Sequence, residues 1–289
     1  DLVIIGGGTA GCACAYIAGK LGLKTLLIEK NIHLGGSITS GLVVPVMFSG
    51  TNQINTDFFN DFIKYMKNFG GQINYDGNNG WFNPEIAKIV LDKMLTDVGV
   101  EIHFNTSVHN AEFVKNKIKR ISINKKILFE YNDTIGKDNI CSTSNKVLFE
   151  PIAAKYYIDA TGNCEFGRQI GCKFINKSDE IQPVTLRFIM SGADTSEFAK
   201  WIMELDEDRD VTTCQVIDGT VHFSTAYTWD KCRKWALSEL FDKAVKEGVL
   251  KDNDRNYFQI FTVAGAKGGA ALGASIGASI GVTYVTDEV

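Results

Sequence analysis

The segment Leu2-Val3-Ile4-Ile5-Gly6-Gly7-Gly8-Thr9-Ala10-Gly11, with Glu29 following 18 positions after Gly11, decides the fold. Leu2 to Ile5 is a short uninterrupted apolar run, the pattern of a strand buried on both faces of a parallel sheet. Gly6-x-Gly8-x-x-Gly11 turns the chain into an Ala-rich, helix-compatible stretch, Cys12 to Leu21, which Gly22 ends. Thr25 to Ile28 is a second strand, closed by Glu29. The glycine spacing is weak on its own. With strand, helix, strand and acid in this order it is a dinucleotide-binding fingerprint. The first glycine makes the turn, the second lets backbone approach a pyrophosphate, and the third lets the helix pack close to the strand. Thr9 and Ala10 open the helix, whose free N–H groups and positive dipole end face the phosphates. Glu29, with Lys30 beside it, can accept both ribose hydroxyls of an adenosine, and an acid there favours FAD or NAD over NADP. The plain alternative is a glycine turn in some other α/β fold.

Working outward, Gly35-Gly36, with Ser37 and Thr39, forms a second glycine loop just after the ribose-binding strand. It allows backbone contact with another part of the same cofactor; the alternative is a merely flexible loop. Phe58, Phe59, Phe62, Ile63 and Met66 recur at helical spacing. Asn83-Pro84-Glu85 starts a further helix, with Asn as cap and Pro at the first helical position, and Gly99 ends it. Val100 to Phe104 reads as another parallel strand, and Val108 to Phe149 as an antiparallel meander. Lys155 to Ile158 is a buried strand running into Asp159-Ala160-Thr161-Gly162, a small-residue turn suited to the ligand edge of a parallel sheet. Val184 to Met190 and Val221 to Tyr227 alternate like strands, with helices at Ser196 to Leu205 and Asp230 to Lys246. The expected fold is α/β: a doubly wound parallel-sheet, Rossmann-like domain with a β-meander and an inserted, smaller α+β region. The expected boundaries are 1–178 for the nucleotide domain, including a helical segment at 50–80, and 179–264 for a substrate region. A glycine-rich helix at 265–289 is expected to return to the first domain.

The 289 residues are 45% hydrophobic and 22% charged, which excludes a disordered chain. A net charge of −4 provides no basic excess for a phosphate backbone, so nucleic acid is not an expected partner. Seven cysteines, none in a C-x-x-C pair, argue against a zinc ribbon and a disulfide scaffold and for a reducing, cytoplasmic compartment. The first residues read as a strand, with no signal-peptide pattern. His33, His103, His109 and His222 show no ligand spacing, so no metal is expected, and no Ser–His–Asp constellation stands out.

These segments together resemble the FAD-dependent oxidoreductases of the glutathione-reductase-like flavoprotein superfamily, those with two dinucleotide-binding folds. The nearest likeness is to a bacterial group with an L-G-G-x-x-T-x-G-L-V segment, here Leu34-Gly35-Gly36-Ser37-Ile38-Thr39-Ser40-Gly41-Leu42-Val43. The D-A-T-G turn at 159–162 and the segment Gln182-Pro183-Val184-Thr185-Leu186-Arg187-Phe188 also look like that group. The resemblance implies FAD as cofactor. Its pyrophosphate would lie on Gly6, Gly8 and Gly11, its ribose on Glu29 and its adenine on the backbone of Val108, with Gly36, Ala160, Thr161 and Gly162 around it. It also implies electron transfer between FAD and a small organic substrate. Two departures are visible: Asn163-Cys164-Glu165 follows the D-A-T-G turn, and little chain separates Tyr257-Phe258-Gln259 from the last glycine segment. A NAD-linked dehydrogenase, or a catalytically silent flavin-binding protein in a shortened chain, is the alternative. Neither substrate, electron acceptor, catalytic residues nor oligomeric state is legible.

Gly269, Gly273, Gly277 and Gly281 repeat every four residues within an uncharged run from Gly268 to Val285. One expectation is a terminal helix whose first turn, at Leu272-Gly273-Ala274, approaches the flavin's pyrimidine edge. The other is a membrane-dimer pattern, weakly driven because so many of its residues are Gly, Ala, Ser or Thr. His33 and Cys164 are candidates to approach the flavin, against plain structural roles. Cys12 and Cys14 read as packing residues.

Overall fold

A computed structural model of the chain describes residues 1–46, 56–130, 142–174, 184–190, 194–206, 212–227, 236–252, 257–263 and 280–286. The elements in chain order are β1 (Leu2–Ile5), α1 (Thr9–Lys20), β2 (Thr25–Ile28), a single 3-10 turn (Gly36–Ile38), α2 (Thr56–Asn68), β3 (Gln72–Tyr75), β4 (Asn78–Phe82) and α3 (Pro84–Asp97). They continue with β5 (Glu101–His103), β6 (Thr106–Val114), β7 (Lys117–Glu130), β8 (Ser142–Ile152), β9 (Tyr156–Asp159), α4 (Glu165–Gln169) and β10 (Val184–Met190). The last are α5 (Thr195–Leu205), β11 (Thr213–Ile217), β12 (Thr220–Tyr227), α6 (Ser238–Lys246), β13 (Tyr257–Thr262) and β14 (Ile280–Thr286).

The chain divides into two compact units: Asp1–Ser40, Asn55–Phe62 and Lys88–Ile175 in the first, Gly41–Ile54, Ile63–Ala87 and Asn176–Val289 in the second. The first unit is built on a four-stranded sheet, order β5-β2-β1-β9, in which every pair is parallel. β1 is buried at all four positions, as an uninterrupted apolar run requires. The chain leaves β1 for β2 and β5 on one side and reaches β9 on the other, so β1 borders the point where strand order reverses. In open α/β sheets the crevice beyond the carboxyl ends of the strands at that point takes the ligand. The meander β6-β7-β8 forms its own antiparallel sheet. Ile121 and Ile123 of β7 pack on Val3, Ile5 and Ile28 of the parallel sheet and on Phe166 of α4. α3 begins where its cap demands: Asn83 Oδ1 accepts from the amides of Glu85 at 2.9 Å and Ile86 at 3.3 Å.

The second unit carries a five-stranded sheet, order β10-β14-β13-β12-β11, antiparallel throughout. Phe223 and Ile260 from this sheet join Ala199 and Ile202 of α5 and Phe241 of α6 in its core. Two hairpins are closed by Asp-Gly pairs with both residues at positive φ: Asp218-Gly219 between β11 and β12, and Asp76-Gly77 between β3 and β4. Two positive φ values in a two-residue loop match the twist of the flanking strands, which favours Asp-Gly.

Several expectations change here. The end of the uncharged C-terminal run is a strand: Ile280–Thr286 pairs with β13 on one side and β10 on the other. Its composition explains this, because Ile, Val, Thr and Tyr dominate it and the four-residue glycine spacing stops at Gly281. The expected helix over 265–289 is therefore corrected at 280–286, while Gly273 and Ala274 lie outside the described residues. The 50–80 segment is helical only in α2 among the described residues; β3 and β4 then form a hairpin. α1 starts at Thr9, three residues before the expected start, and α6 at Ser238; Asp230 and the residues up to 235 are outside the described set. Among the described residues, no helix is long and apolar enough to cross a membrane.

Candidate functional site

At the carboxyl ends of β1, β2 and β9 the first unit holds a cavity of about 760 Å³. Its walls include Gly6, Gly8, Thr9 and Ala10 from the turn into α1, Glu29, Lys30 and Asn31 after β2, and Gly36 and Ser37. Ser107, Val108 and His109 of β6, Ala160, Thr161 and Gly162 after β9, and Glu165, Phe166 and Gln169 of α4 complete it.

The glycines of the first turn are required by their neighbours. Gly6 adopts φ +103°, and a Cβ there would strike the Ala160 carbonyl; a Cβ on Gly11 would strike the Gly6 carbonyl oxygen. Gly8, by contrast, has nothing within 4 Å of where its Cβ would stand, so its backbone lies open to the cavity. α1 carries neither a side-chain cap nor an acidic residue in its first turn. Its N-terminal N–H groups are thus left for an anion, with the positive dipole end behind them.

Glu29 is buried, at 6% exposure, yet lines the cavity. Its Oε2 accepts from the Gly7 amide at 2.6 Å, and its Oε1 from the Asn31 amide and side chain, both at 2.8 Å. One carboxylate so holds the glycine turn and the segment after β2 together. The two glycine loops are also joined directly: the Gly35 amide donates to the Gly7 carbonyl at 2.8 Å, and the Thr9 hydroxyl to the Gly35 carbonyl at 3.1 Å.

The turn after β9 is organised by Asp159. Its Oδ1 accepts from the Thr161 amide at 2.9 Å and hydroxyl at 2.7 Å, and its Oδ2 from the Gly167 amide at 2.7 Å. Burial works to raise this carboxyl, but those hydrogen bonds outweigh it and hold it below the usual carboxylate range. At the rim, Lys30 Nζ lies 3.1 Å from Glu165 Oε1. That hydrogen bond, then one from Asn163, lowers the Glu165 carboxyl; the pair is exposed and contributes little to stability.

Gly11, Gly35 and Thr39 do not line the cavity. Gly11 serves helix–strand packing, and Thr39 is fully buried, donating its hydroxyl to the Leu34 carbonyl at 2.5 Å. Burial pushes the Cys12 thiol up to about 12 while its Sγ donates to the Gly7 carbonyl at 3.1 Å, so Cys12 is an inert packing group. His33 and the exposed Cys164 are likewise not among the cavity residues. Sequence reasoning missed Asn31, Ser107, His109, Glu165, Phe166 and Gln169. Glu165 and Gln169 stand four apart in a helix, on one face, but five residues are too few for that period to be visible in the sequence.

A cavity of this size, with an uncapped helix start, an open glycine and a buried carboxylate converging on it, fits a dinucleotide. The FAD dependent oxidoreductase family matches residues 1–274.

The chain belongs to that family.

Its cofactor is FAD, which decides between the two dinucleotides that Glu29 alone left open. Thiamine thiazole synthase of Metallosphaera sedula is 28% identical over 166 residues, 56% of this chain and 54% of that protein. The thiamine thiazole synthase of Methanoculleus marisnigri is 46% identical over 41 residues, 14% of this chain and 16% of that protein. A myxobacterial chondrochloren halogenase, of the FAD-dependent type, superposes with a TM-score of 0.53 at 13% identity, over 100% of this chain and 53% of that one. A flavin-dependent brominase gives 0.51 at 12% identity, over 100% and 56%. At these identities the two structures show a shared fold. The chain spans about half the length, or less, of each of these proteins.

Proposed function

We propose that this flavoprotein transfers electrons between a small organic substrate and FAD, and that the cavity at the end of β1 is its FAD site. The observation that carries the reading is the convergence, in one cavity, of the uncapped start of α1, the buried Glu29 carboxylate and the turn after β9. Gly8, Thr9 and Ala10 would hold the pyrophosphate by main-chain N–H groups, Glu29 the adenosine ribose, and Val108 the adenine by its backbone. Gly36, Ser37, Ala160, Thr161 and Gly162 would enclose the remainder. Bound FAD supplies the two-electron chemistry; the chain binds it, orients it and shapes the surroundings of its ring. The Leu34–Val43 segment supports placing the chain in the L-G-G-x-x-T-x-G-L-V group, and the cysteine usage supports a cytoplasmic location. Substrate recognition is assigned to residues 179–264, which fall in the second unit.

The test is direct. Denatured holoprotein should release a yellow chromophore with the mass of FAD. Release of NAD, or no binding when the apoprotein is titrated with FAD, would overturn the reading.

A further inference from the structure

Gln169 closes α4, lines the cavity and donates its Nε2 to the main-chain carbonyl of His109. His109 sits at a bulge. The β6–β7 pairing passes from Val108 opposite Ile123 to Asn110 opposite Ser122, leaving His109 with no residue facing it in β7. Bulges of this kind re-aim side chains and main chain beside binding sites. A carbonyl can only accept, so the Gln169 carboxamide must turn its NH2 toward His109; that fixes which end is left over, the oxygen. Among the described residues no group donates to that oxygen. Its neighbour on the same helix face, Glu165, is already engaged by Lys30 at 3.1 Å and Asn163 at 3.2 Å. β6 and α4 are therefore tied through one amide at the cavity wall, whose oxygen is left to accept.

We infer that Gln169 is a specificity residue that accepts a hydrogen bond from the exocyclic amino group of the adenine ring. The inference rests on the proposed FAD site, because it is there that the walls of β6 and α4 face the base. Adenine carries a donor at its six position, whereas hypoxanthine carries an oxygen. An acceptor facing the first makes a hydrogen bond; facing the second it leaves two acceptors opposed and unpaired.

The experiment compares FAD with its deaminated analogue, in which hypoxanthine replaces adenine. Each titrates the apoprotein, followed by quenching of flavin fluorescence. The wild-type protein is expected to prefer FAD by about tenfold. Gln169→Leu, with an unchanged circular dichroism spectrum, is expected to reduce that preference to under about threefold. A preference unchanged in the variant, even with both affinities weakened together, overturns the inference and leaves Gln169 as a tie between two walls. A wild-type protein that binds FAD without any preference overturns it too, while the FAD site stands. Failure to bind either compound overturns both.

Discussion

The parallel sheet of the first unit and the five-stranded sheet of the second differ in where their strands end. In the four-stranded sheet of the first unit all strand pairs are parallel, so β1, β2 and β9 end at the same edge and the segments after them converge on one cavity. In the second unit every pair is antiparallel, so neighbouring strands end on opposite edges and their connections alternate. A parallel sheet collects turns, and here it collects a glycine turn, an acid and a hydrogen-bonded Asp–Thr turn. The antiparallel sheet instead closes one hairpin with Asp218-Gly219 and buries Phe223 and Ile260 in its core.

The comparison breaks most severely at the glycine turn. Gly11→Val places a Cβ against the Gly6 carbonyl oxygen with no flexible neighbour to yield. The expected loss exceeds about 4 kcal/mol and prevents FAD binding, checked by urea unfolding and FAD titration. A stable, FAD-loaded variant would show that the close approach is not needed. In the second unit, Phe223→Ala removes a ring that is 1% exposed and should cost about 3–5 kcal/mol in the same unfolding assay. A loss below 1 kcal/mol would mean that this core relaxes freely.

Glu29→Ala sharpens the account of the cavity. It removes a carboxylate that receives the Gly7 and Asn31 amides and, in the proposed FAD site, the ribose, each such bond contributing about 1.5–3 kcal/mol. FAD affinity should fall by between ten- and a hundredfold, and an unchanged dissociation constant would place the ribose elsewhere. Thr39→Val tests the opposite assignment, that a residue in the glycine loop is structural. Taking the Thr39 hydroxyl from the Leu34 carbonyl should lower stability by about 1–3 kcal/mol, with FAD affinity changed less than threefold. A large affinity loss at unchanged stability would return Thr39 to the cofactor.

The smallest effect is a pH dependence in the second unit. His222 is buried and, among the described residues, its Nδ1 has no partner; burial holds the imidazole below its ordinary value of 6.5. Between the two values the unfolded chain binds more protons than the folded one, so stability is full above about pH 6.5 and declines as pH falls below it. His222→Leu should flatten that decline, measured by urea midpoints from pH 7.5 to 5. An identical slope in the variant would assign the acid sensitivity to other groups.

Much of the first unit was legible because each local signal agreed with the tertiary result. An apolar run of four, a glycine turn, a helix and a closing acid carry their own geometry, and the Asn83 cap defined the start of α3 within a residue. The Asp76-Gly77 and Asp218-Gly219 hairpins are equally readable, since Asp-Gly between strand-forming residues is a strong turn signal. Thr39 shows the limit of a motif. Its place in the glycine loop points to the cofactor, but only the folded chain shows its hydroxyl committed to Leu34.

By itself the sequence determined the nucleotide half: the Leu2–Ile5 strand, the glycine turn, Glu29 and the small turn at 159–162, because these act over a few residues and through backbone geometry. It did not determine the neighbours of Ile280–Thr286. Glycine spacing argued for a helix and β-branched composition for a strand, and local preferences differ by less than tertiary pairing contributes. The slot between β10 and β13 decided the matter, since a strand there satisfies hydrogen-bonding groups on both sides. The same holds for Gln169, whose partner lies 60 positions away, at a bulge in β6.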